Sequence, residues 1–196
     1  METAVRYLQN AGAETVKLDA AQEAVPLYKR IGFTEEFDSL RFRRQPRPRE
    51  KLQPKRGNTF QMFNSDLAEV AQFDAPFFGA KRLAVLQSLY RDYPQSCLVA
   101  KQKGNIVGYI MARQTQDGLW IGPWVCLGST VALHLFHVLV KIVGSDSPGL
   151  RVGLPGVNTR GQQLMEKLGF ELTSKSVHMV LGKRKDQSVV RRIYSI

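Results

Sequence analysis

The 196-residue sequence predicts a mixed α/β fold, a mostly antiparallel sheet flanked by helices, with a partial copy of the same fold at its N-terminus. Two stretches carry the first observation. Leu27-Tyr28-Lys-Arg-Ile-Gly32-Phe33 and Leu164-Met165-Glu-Lys-Leu-Gly169-Phe170 lie 137 residues apart and read as one helix ending in one turn. Each follows a short apolar run and precedes another, which is a strand–helix–strand unit used twice. The second observation is three consecutive strand-like runs between 96 and 125, joined at Lys103-Gly104 and at Gln116-Asp117-Gly118.

The elements follow in order. Ala4, Val5, Leu8 and Ala11 recur at helical spacing, and Gly12 can close that helix. Val16 and Leu18 alternate with polar neighbours as a strand. Residues 22–31 form a short helix with Gly32 in its left-handed closing position, and Phe37, Leu40 and Phe42 mark the next strand. Residues 45–55 hold three prolines and read as a linker. The sequence thus divides into 1–44, the C-terminal part of a truncated module, and 56–196, a near-complete one. In the latter, residues 59–63 read as a strand, and Ser65 caps a helix from Asp66. Phe73-Asp-Ala-Pro-Phe-Phe-Gly79 reads as a bulky loop, and residues 81–90 return to helix. After the three strands, Ser129 or Thr130 caps an apolar helix to Val143. Strand 150–154, helix 158–168 and strand 171–181 complete the order.

Composition sets bounds on function. Apolar residues make up 43% of the chain, enough to bury a core. No apolar run reaches the roughly 18 residues that span a bilayer, and the first residues resemble an amphipathic helix rather than a signal peptide. The expected location is cytoplasmic, with Cys97 and Cys126 as buried thiols. The net charge of +11 is concentrated in two segments, 41–56 and 183–192. The remaining residues balance at 15 basic and 15 acidic. A Pro-interrupted linker and a tail are solvated connectors, so the charge does not point to nucleic acid. His134 and His137 share a helix face, but no acidic or thiol pattern completes a metal site with them.

The order of elements resembles the GNAT superfamily of acetyl-CoA-dependent N-acetyltransferases. Besides the repeated turn, the matching strings are Phe73-Asp-Ala-Pro-Phe-Phe-Gly79, Ile106-Val-Gly-Tyr-Ile-Met-Ala-Arg113 and Leu119-Trp-Ile-Gly-Pro123. More narrowly, the chain is similar to two-module bacterial members in which a catalytic module precedes a GNAT-like one.

That resemblance implies three chemical parts. One is a loop and helix N-terminus whose free N–H groups grip the diphosphate of acetyl-CoA. Its counterpart here is Trp124-Val-Cys-Leu-Gly128-Ser129-Thr130, with one glycine and no basic residue, where Ser129 and Thr130 also fit as helix caps. Another is a tyrosine that protonates the departing thiolate. Tyr28 holds this place in the first unit, where it also fits as a packed aromatic, and Met165, a packing residue, replaces it in the second. The last is an asparagine opening the final helix and contacting the cofactor. Asn158 matches it and is also an ordinary cap, whereas the first unit has Ala21. Asp74 reads either as a base for the amine or as a structural carboxylate in its loop.

The function so implied is acetyl transfer from acetyl-CoA to a primary amine by direct attack, with no metal. Tyr28 would be catalytic, and Asn158, Gly128 and Ser129 would bind the cofactor. The partner is a small-molecule or peptide amine, with no membrane or nucleic acid, and the unpaired edge of a half-sheet leaves room for a homodimer. The alternative is a catalytically inactive GNAT-like binding or dimerisation module.

Overall fold

The computed structural model describes residues 1–46, 58–143, 149–183 and 187–196. The expected linker lies outside the described residues from position 47 onward. The first unit comprises α1 (Glu2–Asn10), β1 (Thr15–Ala20), α2 (Val25–Arg30) and β2 (Thr34–Arg44). The second runs β3 (Thr59–Gln61), α3 (Leu67–Phe78), α4 (Leu83–Asp92), β4 (Cys97–Gln102), β5 (Asn105–Thr115) and β6 (Gly118–Cys126). It continues through α5 (Ser129–Val143), β7 (Leu150–Pro155), α6 (Thr159–Lys167) and β8 (Glu171–Gly182). A short helix α7 (Gln187–Val190) and a three-residue strand β9 (Ile193–Ser195) follow where only a basic tail was expected. The repeated turn behaves as its glycines require: Gly32 and Gly169 adopt φ of +98° and +75°, which a side chain would strain.

The loop expected at 73–79 is instead the end of α3. Pro76 sits inside the helix, and Gly79 closes it at φ 75°. Proline is tolerated because the carbonyl it deprives of a partner, that of Gln72 one turn back, belongs to an exposed residue that water can reach. On the opposite side Val70, Asp74 and Phe77 are buried, and that burial holds the helix together. Ser65 does not cap it either. The chain enters α3 through a 3-10 turn, Asn64–Asp66, in which Phe63 N–H donates to the Asp66 carboxylate at 2.8 Å.

Among the described residues nine strands form one sheet in the order β1-β8-β2-β7-β6-β5-β4-β3, with β9 paired to β6. The first four positions hold the two strand–helix–strand units interleaved. Strand β8 runs antiparallel to both β1 and β2, and β2 runs antiparallel to both β8 and β7. Each unit therefore places its last strand in the gap of the other, and the order reads the same when the units are exchanged. The sequence boundary after residue 44 does not divide the sheet. Pairing of β6 with β7 is parallel and short, from Leu119–Leu150 to Ile121–Val152, after which the two strands part.

Strand alternation sorts the side chains to two faces. On one, α5 and α6 bury Ala132, Leu135, Phe136, Leu139, Leu164 and Met165 against Ile110, Ile121, Val152 and Leu154. On the same face, Val5 of α1 and Val25 of α2 pack over Ala20, Val177 and Met179. The other face is apolar only under α3, α4 and α7, where Leu67, Val70, Leu86 and Val190 meet Val99, Tyr109 and Val125. Toward β2, β8 and β1 that face carries Arg41, Ser39, Glu36, His178, Asp19 and Lys17, polar groups in place of a hydrophobic cluster.

Candidate functional site

In this topology the parting of β6 and β7 opens a wedge between two central strands. The chain's own strand β9 fills it. Trp124 and Val125 of β6 pair with Ser195 and Ile193. Cys126 N–H donates to Arg192 O at 3.1 Å, and Ile196 N–H donates across the wedge to Gly153 O of β7 at 2.9 Å. Ser195, fully buried, donates its hydroxyl to Ile121 O at 2.5 Å and accepts from Gly153 N–H at 3.1 Å. The backbone groups that two splayed strands would leave unpaired are thus satisfied internally.

Asn158 is part of this closure. It is 1% exposed; its Oδ1 accepts from Gly161 N–H at 2.8 Å, capping α6, and its Nδ2 donates to Ile193 O at 2.9 Å. Both ends of the amide bond to backbone, and the donor bond secures the tail. Gly161 is required for it, since a Cβ there would stand 2.6 Å from Asn158 Nδ2 and 2.8 Å from Leu154 Cδ1. Met165 is wholly buried, as its role in packing requires.

Gly128 and Ser129 lie beside Asn158 on a cleft of about 270 Å³, lined also by Thr159, Arg160, Arg191, Arg192 and Tyr194. The first bond of α5 runs from Ala132 N–H to Gly128 O at 3.1 Å, so the amides before it in the first turn have no intrahelical acceptor. Three guanidinium groups supply the positive charge that the Gly128 loop lacks in sequence. One adjoins the cap of α6, and two come from the segment read as a solvated tail. Arg192 also donates to Leu127 O. Tyr194 shares a hydrogen bond with Ser129, and burial raises its pKa. The cleft thus joins two helix N-termini to a cationic rim, a combination that favours negative charge.

Tyr28 is elsewhere. It is half-buried on α2, edge-on to Phe33 with ring centroids 5.8 Å apart, in the cluster that covers one face of β1. Among the described residues β1 has a strand partner on one side only.

Asp74 is neither an exposed base nor a loop carboxylate. It is 0% exposed at the end of α3, where Arg82 Nε and Nη2 donate to its two oxygens at 2.8 and 2.7 Å. The Tyr109 hydroxyl donates to Asp74 Oδ1 at 2.5 Å. Burial, reinforced by the Asp74 charge, drives the Tyr109 pKa well up and keeps it a donor. Arg82 loses some basicity to burial, but Asp74 more than restores it. The guanidinium also lies 3.3 Å from the Phe78 ring centroid. This closed network pins α3 to α4 and to β5.

The polar face gathers residues from both units. Asp19 on β1 stands opposite His178 on β8, and His178 Nδ1 lies 2.8 Å from Asp19 Oδ1. Arg41 Nη2 and Ser39 Oγ both donate to Asp19 Oδ2, at 2.5 and 3.0 Å. Burial raises the Asp19 pKa, but the hydrogen bonds of His178 and Arg41 outweigh it and hold the carboxyl at about 2. The imidazole stacks on Phe37, centroids 4.6 Å apart and planes 9° from parallel. Its Nε2 faces Glu36 Oε2 at 3.7 Å, and Lys17 Nζ reaches the same oxygen at 3.6 Å. Arg41 and Arg113 both lie over the Trp120 ring, at 5.7 and 5.8 Å. Sequence reasoning missed His178. The signal available was alternation, because Val177 and Met179 face a core and so turn His178 to the opposite side.

A family model described as an acetyltransferase (GNAT) domain matches residues 70–195. The chain belongs to the GNAT acetyltransferase family. It is 23% identical over 156 residues to the uncharacterized N-acetyltransferase YitH of Bacillus subtilis, covering 79% of this chain and 54% of YitH. Among solved structures it is similar to one from Pyrococcus horikoshii, with TM-score 0.72, 20% identity, and cover of 100% of this chain and 63% of that one. A GCN5-related N-acetyltransferase from Sphaerobacter thermophilus aligns at TM-score 0.63 and 20% identity, over 85% of this chain and 59% of that one. The chain thus spans about half of YitH and under two thirds of either structure. Among the described residues no helix is long and apolar enough to cross a membrane, and no group of three His, Cys, Asp or Glu side chains is placed to hold a metal ion.

Proposed function

We propose that this chain serves acetyl transfer from acetyl-CoA to a primary amine of a small molecule or peptide, by direct attack of nitrogen on the thioester. The observation that carries this reading is a contrast between the units. The wedge of the second is filled by β9 and its donor position is Met165; among the described residues β1 is paired on one side only, and Tyr28 lies in the cluster that covers one of its faces. The thioester then lies along β1, and Tyr28 gives its proton to the departing thiolate. Calorimetric titration with acetyl-CoA tests the reading, together with thiol release in the presence of a panel of primary amines. Tyr28→Phe is expected to lower kcat by about 10²-fold or more with little change in acetyl-CoA affinity. Absence of binding at millimolar acetyl-CoA refutes it.

A second reading concerns the second unit alone. Gly128, Ser129 and the Asn158 cap sit at a cationic cleft suited to the diphosphate of a CoA-type ligand, while β9 occupies the space an acyl arm would need. This unit then binds the phosphate end of such a ligand without acyl chemistry. It predicts equal affinity for acetyl-CoA and for 3′-phospho-ADP at this cleft, both lost in Arg160→Ala.

A further inference from the structure

Three arginines and an indole form one row on the face of the sheet opposite α5 and α6. Strand register places Arg43 of β2 opposite Arg151 of β7, Arg151 beside Trp120 of β6, and Trp120 opposite Arg113 of β5. Their neighbours Phe42, Val152, Leu119 and Ala112 belong to the core under α5, so alternation turns all four to the other side. Arg41 joins them from β2. The indole is pinned: its Nε1 donates to Ile196 O at 3.2 Å, and Arg41 and Arg113 both stand over the ring. Gly153 makes the room, since a Cβ there would lie 2.5 Å from Arg41 Nη1 and 3.2 Å from Trp120 Cζ2. Carboxylates already seat on these guanidinium groups. Asp117, 74% exposed at its side chain on a hairpin tip, accepts from Arg151 at 2.6 Å, and Asp19 accepts from Arg41 at 2.5 Å. Arg43 and Arg113, at the two ends of the row, have no carboxylate partner among the described residues.

We propose that this row docks an acidic peptide segment, laid across the strands with one carboxylate on Arg43 and another on Arg113. Charge complementarity carries the inference, because the end positions repeat the seats that Asp117 and Asp19 already fill at Arg151 and Arg41. The spacing fits as well. Three strand intervals separate the two arginines, about 14 Å at the backbone. An extended peptide rises about 3.4 Å per residue and turns alternate side chains to one side. Its first and fifth residues therefore span the same distance and face the sheet together. A guanidinium offers a carboxylate two parallel N–H donors, and Arg113, leaning on a pinned indole, has less freedom to lose than a solvated side chain. The indole also argues for a peptide over a nucleic acid. Bases stack on open aromatic faces, whereas two guanidinium groups already stand over Trp120. The surface is independent of the acetyl-transfer reading, since neither Tyr28 nor the cleft at Gly128 takes part in it.

The test uses the whole chain and pentapeptides acetylated at one end and amidated at the other, so that they offer no amine for acylation. One is Glu-Thr-Val-Thr-Glu, a second moves the same two glutamates to alternate positions as Thr-Glu-Thr-Glu-Val, and a third replaces both with glutamine. Binding is read by calorimetry and by tryptophan fluorescence at low ionic strength, where exposed charges are least screened. The first peptide is expected to bind, the second about tenfold more weakly, and the third not at all. Arg43→Gln and Arg113→Gln, on exposed or half-buried side chains, should each leave the melting temperature in place and weaken the first peptide by about tenfold. Arg113→Lys should recover part of that loss, since lysine keeps the charge without the planar fork. No binding of the first peptide at millimolar concentration overturns the proposal. So does unchanged affinity in both glutamine variants, or equal affinity for the two glutamate spacings. Tighter binding of a single-stranded oligothymidylate than of the first peptide gives the surface to nucleic acid and overturns it too.

Discussion

Replacing Asn158 by alanine removes two buried interactions at once, and its cost can be worked from their partners. The first is the α6 cap, an Oδ1 acceptor 2.8 Å from Gly161 N–H, whose loss costs about 1 kcal/mol in typical helices. The second is the Nδ2 donor to Ile193 O at 2.9 Å. Without it a buried carbonyl is left unsatisfied, which costs about 1–3 kcal/mol. Together they predict a loss of roughly 2–4 kcal/mol, or about 5–15 °C in Tm for a chain of this size. Urea unfolding of Asn158→Ala and Asn158→Asp measures both parts. Aspartate retains the cap acceptor but turns the donor into a second acceptor against Ile193 O, so it recovers the cap and not the tail. Limited proteolysis at the C-terminus is expected to accelerate in both variants. A destabilisation below 0.5 kcal/mol in Asn158→Ala, with an unchanged proteolysis rate, would refute the coupling of cap to tail.

Two further outcomes are expected. Asp74→Ala strands the Arg82 guanidinium and the Tyr109 hydroxyl, and should cost about 3–5 kcal/mol by urea unfolding. The double variant Asp74→Ala with Arg82→Ala should cost less than the sum of the two single ones; strict additivity would contradict the network. Asp19 has a folded pKa of about 2 against 3.8 in the unfolded chain. Its contribution is therefore complete above about pH 4 and is lost as the pH falls toward 2. Screening at the solvent edge holds it to about 1 kcal/mol. Wild type should lose stability across that window more steeply than Asp19→Asn, and parallel curves would contradict it.

Local patterns made the elements of this fold legible and left their pairing hidden. The Leu27 and Leu164 helices, the glycine turns and the two hairpins are set by residues within a few positions of one another. Nothing local says that β8 enters between β1 and β2, because alternation marks a strand's faces and not its neighbours. The end of α3 around Pro76 stayed hidden, since a proline's effect depends on whether water reaches the deprived carbonyl, a tertiary property. Strand β9 has three residues behind a basic run, too short for any periodicity. Within the site, Tyr28, Asn158, Gly128 and Ser129 were visible through family resemblance. Arg160, Arg191 and Arg192 were not, since their meeting at the α5 terminus is made by the tail's return. Asp19 and His178 lie 159 residues apart, each an ordinary polar residue in its own strand.

The interleaving of the last strands also orders the birth of the molecule. Thr15 finds its partner in Gly182, and Thr34 in Val180. A ribosome adding about 5–20 residues per second therefore needs on the order of 10 s beyond β2 before the first unit's strands meet β8. Through that interval two strands with apolar faces wait without the neighbour that finishes their sheet. Strands β4, β5 and β6, joined by tight hairpins, can assemble meanwhile. Such a chain gathers its middle early and its beginning last. Its rate of refolding should then be governed by the closure that brings Thr15 to Gly182.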